Sequence, residues 1–179
     1  MTAFVALLRG INVGGNNMLP MSEFRQLLST LGCEEVATYI QSGNAVFKHS
    51  KTATELSQSI SEAVHSKFGF RPSVMVLTDN DFSAVAAANP FMADVSEPKL
   101  LHVWFLGEEA VDADTKRLDE VATESEKYSL TDSAFYLHAP DGIGRSKLGA
   151  GVERCLGVPA TARNWRTVGK IGELLDALG

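Results

Sequence analysis

The loop formed by residues 9–17, RGINVGGNN, has the composition of a ligand-binding loop. Its glycines and asparagines tolerate unusual backbone conformations that expose N–H groups to a ligand. Gly10 and Gly15 have the spacing of the glycines in a GxxxxGK[ST] phosphate loop, but Asn16 and Asn17 replace its lysine and hydroxyl residue. The segment predicts either a backbone site for an anion or polar ligand, or a tight structural turn. The candidate binding residues here are Arg9, Asn12, Gly14 and Gly15.

A second polar cluster, YIQSGN, occupies residues 39–44 between two strand-like runs. Gln41, Ser42 and Asn44 offer amide and hydroxyl groups, although a hairpin turn alone calls for such residues. The simplest tracing of the sheet places the end of the first strand and this hairpin at opposite ends. We therefore expect no single compact site formed by both segments.

Two basic segments lie near the carboxyl end, GIGRSKLGAG at residues 142–151 and TARNWRTVGK at residues 161–170. Glycines that lead into a helix beside Lys and Arg are suited to anion binding, because the helix amino terminus adds partial positive charge. Trp165 can stack on a base or sugar. The alternative is that Trp165 anchors the last helix and the arginines pair with an acidic helix. The candidate binding residues here are Lys147, Arg163, Asn164, Trp165 and Arg166.

Familiar catalytic and metal-binding patterns are missing from the sequence. The histidines stand apart from one another without metal-ligand spacing, and Ser96 with Lys99 forms an SxxK match that lacks its partner motifs. The sequence identifies no catalytic residue and no cofactor, and it predicts no metal site.

The bulk composition is that of a globular protein. The 179 residues are 45% hydrophobic and 21% charged, with no apolar run long enough to span a bilayer and no secretory signal. Cys33 and Cys155 read as reduced, core-type thiols, which favours a cytoplasmic location. A net charge of −6 makes general nucleic-acid binding unlikely, although residues 139–179 hold six basic and four acidic side chains.

The hydrophobic pattern predicts a β-α-β-β-α-β order in the first half of the chain. Pro20 fits the first turn of the first helix and Ser22 is a candidate cap for it, Thr52 begins the second helix, and residues 42–44 turn a hairpin. This order closes a four-stranded antiparallel sheet with both helices on one face. The predicted elements are strands at 3–9, 36–40, 45–48 and 73–78, with helices at about 20–32 and 52–69.

The pattern repeats after a short helix near residues 81–88. Its second copy contains an acidic helix and a strand that reads as vestigial. We therefore predict an α+β fold of two ferredoxin-like halves, residues 1–90 and 98–179, the second including a carboxyl-terminal helix. The predicted elements are strands at 100–106, 127–130, 134–138 and 158–162, with helices at about 112–125, 146–156 and 164–178.

Five ordered segments resemble a known bacterial family: RGINVGGNN with the following MLPMSEFRQLLSTLG, YIQSGNAVF, the NPF beginning at Asn89, GIGRSKL and TARNWRTV. Together they are similar to the domain of unknown function 1697 family over nearly the whole chain. The resemblance implies two ferredoxin-like halves and no particular activity. Met18 and Arg166 stand where relatives often carry Lys and Asn, which weakens charge contacts proposed at those positions.

The leading functional hypothesis is a protein that holds a small anionic ligand, such as a nucleotide or phosphate ester, between the halves. Arg9, Asn12 and the amides of the glycine pair would then meet Lys147 and the arginines of the last basic segment. Whether it is also an enzyme is left open. One alternative is a single-stranded nucleic-acid binder, which would use Tyr39 and Phe47 as stacking aromatics. Another is a structural or interaction role without a ligand.

Overall fold

The computed structural model describes residues 1–93 and 96–179; Asp94 and Val95, inside the predicted linker, lie outside the described residues. The chain divides into two compact units. Unit 1 comprises Met1–Ala84 with Gly169–Gly179, and unit 2 comprises Val85–Val168. The division into domains 1–90 and 98–179 stays a prediction.

The described elements follow the predicted order, with two short 3-10 turns at Pro98–Leu100 and Ile143–Arg145. Both sheets have four strands and are antiparallel throughout, with orders β2-β3-β1-β4 and β6-β7-β5-β8, so the predicted α+β fold of two half-repeats is confirmed. The elements are β1 (Thr2–Arg9), α1 (Met21–Thr30), β2 (Glu34–Tyr39), β3 (Asn44–His49), α2 (Ala53–Phe68), β4 (Ser73–Thr78), α3 (Asp79–Ala87), β5 (Leu101–Leu106), α4 (Thr115–Val121), β6 (Lys127–Leu130), β7 (Ala134–His138), α5 (Lys147–Leu156), β8 (Ala160–Asn164) and α6 (Trp165–Asp176).

The core of unit 1 follows the alternation of side chains along its strands. Phe4, Ala6 and Leu8 of β1 face α1 and α2, whose apolar side chains recur at helical spacing and complete the cluster. Thr52 and Glu55 form a capping box at α2, and Gly69 ends that helix in the left-handed conformation. Pro20, without a side-chain cap, precedes α1, so the predicted cap at Ser22 is wrong.

Unit 2 repeats this arrangement around Trp104, Phe135 and Leu148, with two differences from the sequence prediction. The acidic helix is shorter than predicted, because the side chain of Asp114 caps it by accepting from the Arg117 N–H and Ala122 turns extended. The strand expected to be vestigial is a full edge strand, β8, since residues 160–164 pair with β5 along their length.

Both cysteines are free and buried, which agrees with the predicted reduced thiols. Burial raises the pKa of the Cys33 thiol to about 11. None of the helices within residues 1–93 and 96–179 is long and apolar enough to cross a membrane.

Candidate functional site

The glycine- and asparagine-rich loop after β1 folds into a small two-residue turn. The Asn16 N–H donates to the Val13 carbonyl at 3.0 Å, and the Asn12 N–H donates to the Asn17 carbonyl at 3.1 Å. Gly14 and Gly15 between them have φ of 57° and 77°, the left-handed conformation that such a hairpin turn requires. The glycines at this exposed tip therefore have a structural reason to be glycine.

The side chain of Asn12 forms hydrogen bonds with the protein backbone. Its Oδ1 accepts from the Leu19 N–H at 2.7 Å, and its Nδ2 donates to the carbonyls of Leu19 at 2.9 Å and Gln41 at 2.7 Å. Asn17 Nδ2 likewise donates to the Gly10 carbonyl at 2.8 Å. Both protons of the Asn12 amide are occupied, so this side chain serves as a clamp between two segments of backbone.

The loop and the hairpin of residues 39–44 lie at the same end of the sheet, contrary to the sequence tracing. β3 runs antiparallel to β1, so the beginning of β3 lies beside the end of β1. The Leu8 N–H donates to the Gly43 carbonyl at 2.8 Å, and Asn12 reaches Gln41. A Cβ on Gly43 would lie 2.7 Å from both Leu8 Cβ and Ile11 Cδ1, so glycine is required by close packing. The two polar segments meet, and their contacts stabilise the fold.

The first basic segment starts helix α5. The Ser146 hydroxyl accepts from the Gly149 N–H at 2.8 Å, and a Cβ on Gly149 would lie 2.5 Å from Ile143 Cδ1. Ser146 and Gly149 therefore have structural roles. Lys147, at the first position of the helix, is exposed.

The second basic segment ends β8 and starts α6. Arg163 is mostly buried and donates to the Ala162 carbonyl at 2.8 Å, and its burial lowers the guanidinium pKa to about 10, which leaves it charged at neutral pH. Asn164 Oδ1 accepts from the Thr167 N–H at 2.9 Å, so this side chain caps α6. Trp165 is half-buried and Arg166 is exposed.

The two basic segments lie at the same end of the second sheet. β7 and β8 both run antiparallel to β5, and both end beside its first residues: His138 pairs with Leu101 and Asn164 pairs with His102. The chain leaves β7 at this end to enter α5. The topology thus places Lys147 and residues 163–166 at the same end of this sheet.

A groove of about 390 Å³ runs between α4 and α5 in unit 2. Three of its side chains are cationic, and the others are small or apolar. Lys147, Gly151 and Arg154 lie at i, i+4 and i+7 on one face of α5, which explains why residues distant in sequence line one surface. The groove is lined by Arg117, Val121, Lys147, Ala150, Gly151 and Arg154.

The cations of the groove are poorly neutralised by the surrounding protein. Arg117 pairs with Glu120 at 3.1 Å, a contact in which both side chains are about half exposed (51% and 50%). Such surface ion pairs contribute little to stability and exchange readily with ions from the solvent. Lys147 and Arg154 form no ion pair or hydrogen bond of the side chain with any residue that the structure describes. The groove therefore has positive charge available to a ligand, in a chain of net charge −6.

Sequence reasoning identified Lys147 but missed Arg117 and Arg154. The spacing of Lys147 and Arg154 was a usable signal, since seven residues make two turns of a helix. The sequence around Arg117 contains no such signal, because its pattern predicts an acidic helix exposed to solvent. Only the packing of α4 on α5 joins it to the other two cations.

Two of the four histidines, His49 and His102, are buried. His49 Nδ1 accepts from the Lys51 N–H at 2.9 Å. His102 is buried, which lowers its pKa, and its Nδ1 has no hydrogen-bond partner among the described residues. No group of three metal-ligating side chains occurs within residues 1–93 and 96–179.

Base stacking in the first half would require accessible rings at Tyr39 and Phe47, and one of these two rings is inaccessible. Phe47 has no exposed surface and packs in the helix-facing core of unit 1, so its ring is inaccessible to a base. Tyr39 is half-buried.

Comparison with known proteins identifies the family and supports the fold. A solved structure described as a conserved bacterial protein from Streptococcus pneumoniae is similar, with a TM-score of 0.70 and 25% identity over 97% of this chain and 98% of that one. No curated protein matches the chain. The model of the family described as protein of unknown function (DUF1697) matches residues 1–136. The chain belongs to this family.

Proposed function

We propose that the protein binds a small phosphate-containing anion in the groove between α4 and α5. The observation that carries the proposal is the set of three cations around one groove, Arg117, Lys147 and Arg154, two of them without an ion-pair partner in the described chain. Guanidinium groups match the geometry of phosphate oxygens and bind them through paired hydrogen bonds. The function is ligand binding; that the same ligand also reaches the loop of residues 9–17 stays a prediction.

The composition of the groove favours a small ligand over an extended strand. Its small or apolar residues, Val121, Ala150 and Gly151, leave room beside the cations. None of the residues that line the groove is aromatic. Single-stranded nucleic acids are held mainly by stacking of bases on aromatic side chains together with backbone charges. The groove supplies the charges alone.

Thermal unfolding with a panel of nucleotides, sugar phosphates and pyrophosphate tests the proposal. A ligand at 100 times its dissociation constant stabilises the folded state by about 2.7 kcal/mol. We expect Arg117→Ala to abolish this stabilisation. Lys116→Ala, which removes an equal charge from the neighbouring position outside the groove, is expected to retain it.

Two results would contradict the proposal. The first is a panel in which no phosphate compound raises the unfolding temperature of the wild-type protein. The second is an equal loss of stabilisation in Arg117→Ala and Lys116→Ala, which would mean that the ligand responds to overall charge and not to the groove.

A further inference from the structure

We infer that the ligand of the α4–α5 groove carries two or more linked phosphoryl groups, which lie along α5 from the arginine end to Lys147. This inference rests on the proposed function and specifies its ligand class. It follows from the relative direction of the two helices, the spacing of the cations and the open space between them.

The two helices run in opposite directions along the groove. The Asp114 N–H, at the start of α4, donates to the carbonyl of Cys155, near the end of α5, at 2.8 Å. This contact places the beginning of α4 beside the end of α5. Arg117 therefore lies at the same end of the groove as Arg154, and Val121 lies toward the end that contains Lys147.

The cations are distributed unevenly along the groove. Lys147 and Arg154 are seven residues apart on one helix, which corresponds to about 10 Å along its axis. The paired arginines form a site for one phosphoryl group, since each guanidinium offers a planar fork of donors. Lys147 is a compact point charge at the other end, where a second phosphoryl group of the same ligand would meet it.

Gly151 keeps the middle of the groove open. A Cβ at this position would meet nothing within 4 Å, whereas a Cβ on Gly149 of the same helix would collide with Ile143. Packing therefore accounts for Gly149 and does not account for Gly151. Glycine destabilises a helix interior relative to alanine. The open space that Gly151 leaves lies between Lys147 and Arg154, where the linkage between phosphoryl groups would pass.

Calorimetric titration of the full chain with orthophosphate and with tripolyphosphate, at about 0.15 M salt, tests the inference. We expect tripolyphosphate to bind at least tenfold more tightly than orthophosphate. Lys147→Ala is expected to weaken tripolyphosphate binding much more than orthophosphate binding, and so to remove most of this advantage. Arg154→Ala is expected to lower the affinity for both ligands at least tenfold. Lys116→Ala is expected to lower neither affinity.

The outcomes separate the inference from the proposed function. Absence of binding by both ligands would overturn both. Binding of the two ligands with equal affinity, weakened equally by Arg154→Ala and unaffected by Lys147→Ala, would overturn the inference and leave the proposed function standing. A thymidine oligonucleotide that binds more tightly than tripolyphosphate and weakens in the same variants would overturn the inference in favour of a nucleic-acid ligand.

Discussion

The loop of residues 9–17 in unit 1 and the α4–α5 groove in unit 2 differ in how the fold uses their polar groups. In the loop, every hydrogen bond described for the side chains of Asn12 and Asn17 is made with a backbone carbonyl or N–H group. In the groove, Lys147 and Arg154 have no side-chain partner among the described residues. The loop has the more suggestive sequence, but the groove has the chemistry available to a ligand.

This difference shows what glycine and asparagine content predicts in such a protein. These residues mark places where the backbone needs a left-handed conformation or a side-chain bond to its own carbonyls. Both needs arise in ordinary turns. A candidate binding site is better recognised by charged groups that the fold brings together and leaves without partners.

The largest expected effect of a single substitution is at Gly43, where the hairpin packs against the first loop. Gly43→Ala forces a Cβ to within 2.7 Å of Leu8 and Ile11 at a φ of +80°. Overpacking and the left-handed strain together predict a loss of about 4 kcal/mol in the free energy of unfolding. Urea denaturation measures it.

Gly15→Ala is the matched control for Gly43→Ala. Gly15 has a similar φ of +77°, but its added Cβ would meet nothing within 4 Å. We expect a loss of about 1 kcal/mol from conformational strain alone. Equal losses in the two variants would show that close packing of the two segments contributes nothing.

A smaller effect is expected from removal of the Asn12 clamp. Asn12→Gly preserves the left-handed backbone conformation and removes three hydrogen bonds, two of them to the backbone of fully buried Leu19. We expect a loss of about 2–3 kcal/mol in the free energy of unfolding. Asn17→Gly, at a similar φ, removes one exposed bond and is expected to cost about 0.5 kcal/mol.

The functional counterpart of this prediction concerns the Asn12→Gly variant. If the loop is structural, Asn12→Gly binds tripolyphosphate as tightly as the wild-type protein at temperatures where both are folded. A tenfold loss of affinity in folded Asn12→Gly would make the loop part of the binding site and remove the contrast with the groove.

The smallest expected effect on stability is at the groove itself. Lys147→Ala and Arg154→Ala each remove an exposed side chain without a partner in the described structure, so the free energy of unfolding should change by less than about 0.5 kcal/mol. Chemical denaturation provides the measurement. A loss above about 1.5 kcal/mol would show that the fold uses these charges.

Much of the fold is predictable from the sequence because its local signals agree with its tertiary packing. The capping box at Thr52 and the left-handed Gly69 mark both ends of α2, and the unbroken apolar run in β1 matches a strand in which Phe4 to Leu8 are all buried. The sequence predicts only a vestigial strand at residues 158–162, because the polar residues Arg163 and Asn164 that follow lower the strand propensity. Pairing with β5 outweighs that propensity.

The candidate site was only partly predictable. Lys147 stands out through its neighbouring glycines, but Ser146 and Gly149 serve to start a helix. The roles of Asn12 and Asn164 as a clamp and a cap depend on hydrogen bonds to backbone atoms that no residue pattern specifies. Arg117 joins the groove through the contact between α4 and α5, which is visible only in three dimensions.

The substitution Gly151→Leu tests most directly whether the groove is a ligand site that the fold does not need. Leucine fills the open space and replaces a helix-destabilising residue, so we expect the free energy of unfolding to rise by about 0.8 kcal/mol. The affinity for tripolyphosphate should fall at least tenfold. Gly169→Leu, at an exposed helical glycine with equal free space, should leave that affinity unchanged. A stable Gly151→Leu protein that binds tripolyphosphate as the wild type does would contradict the account.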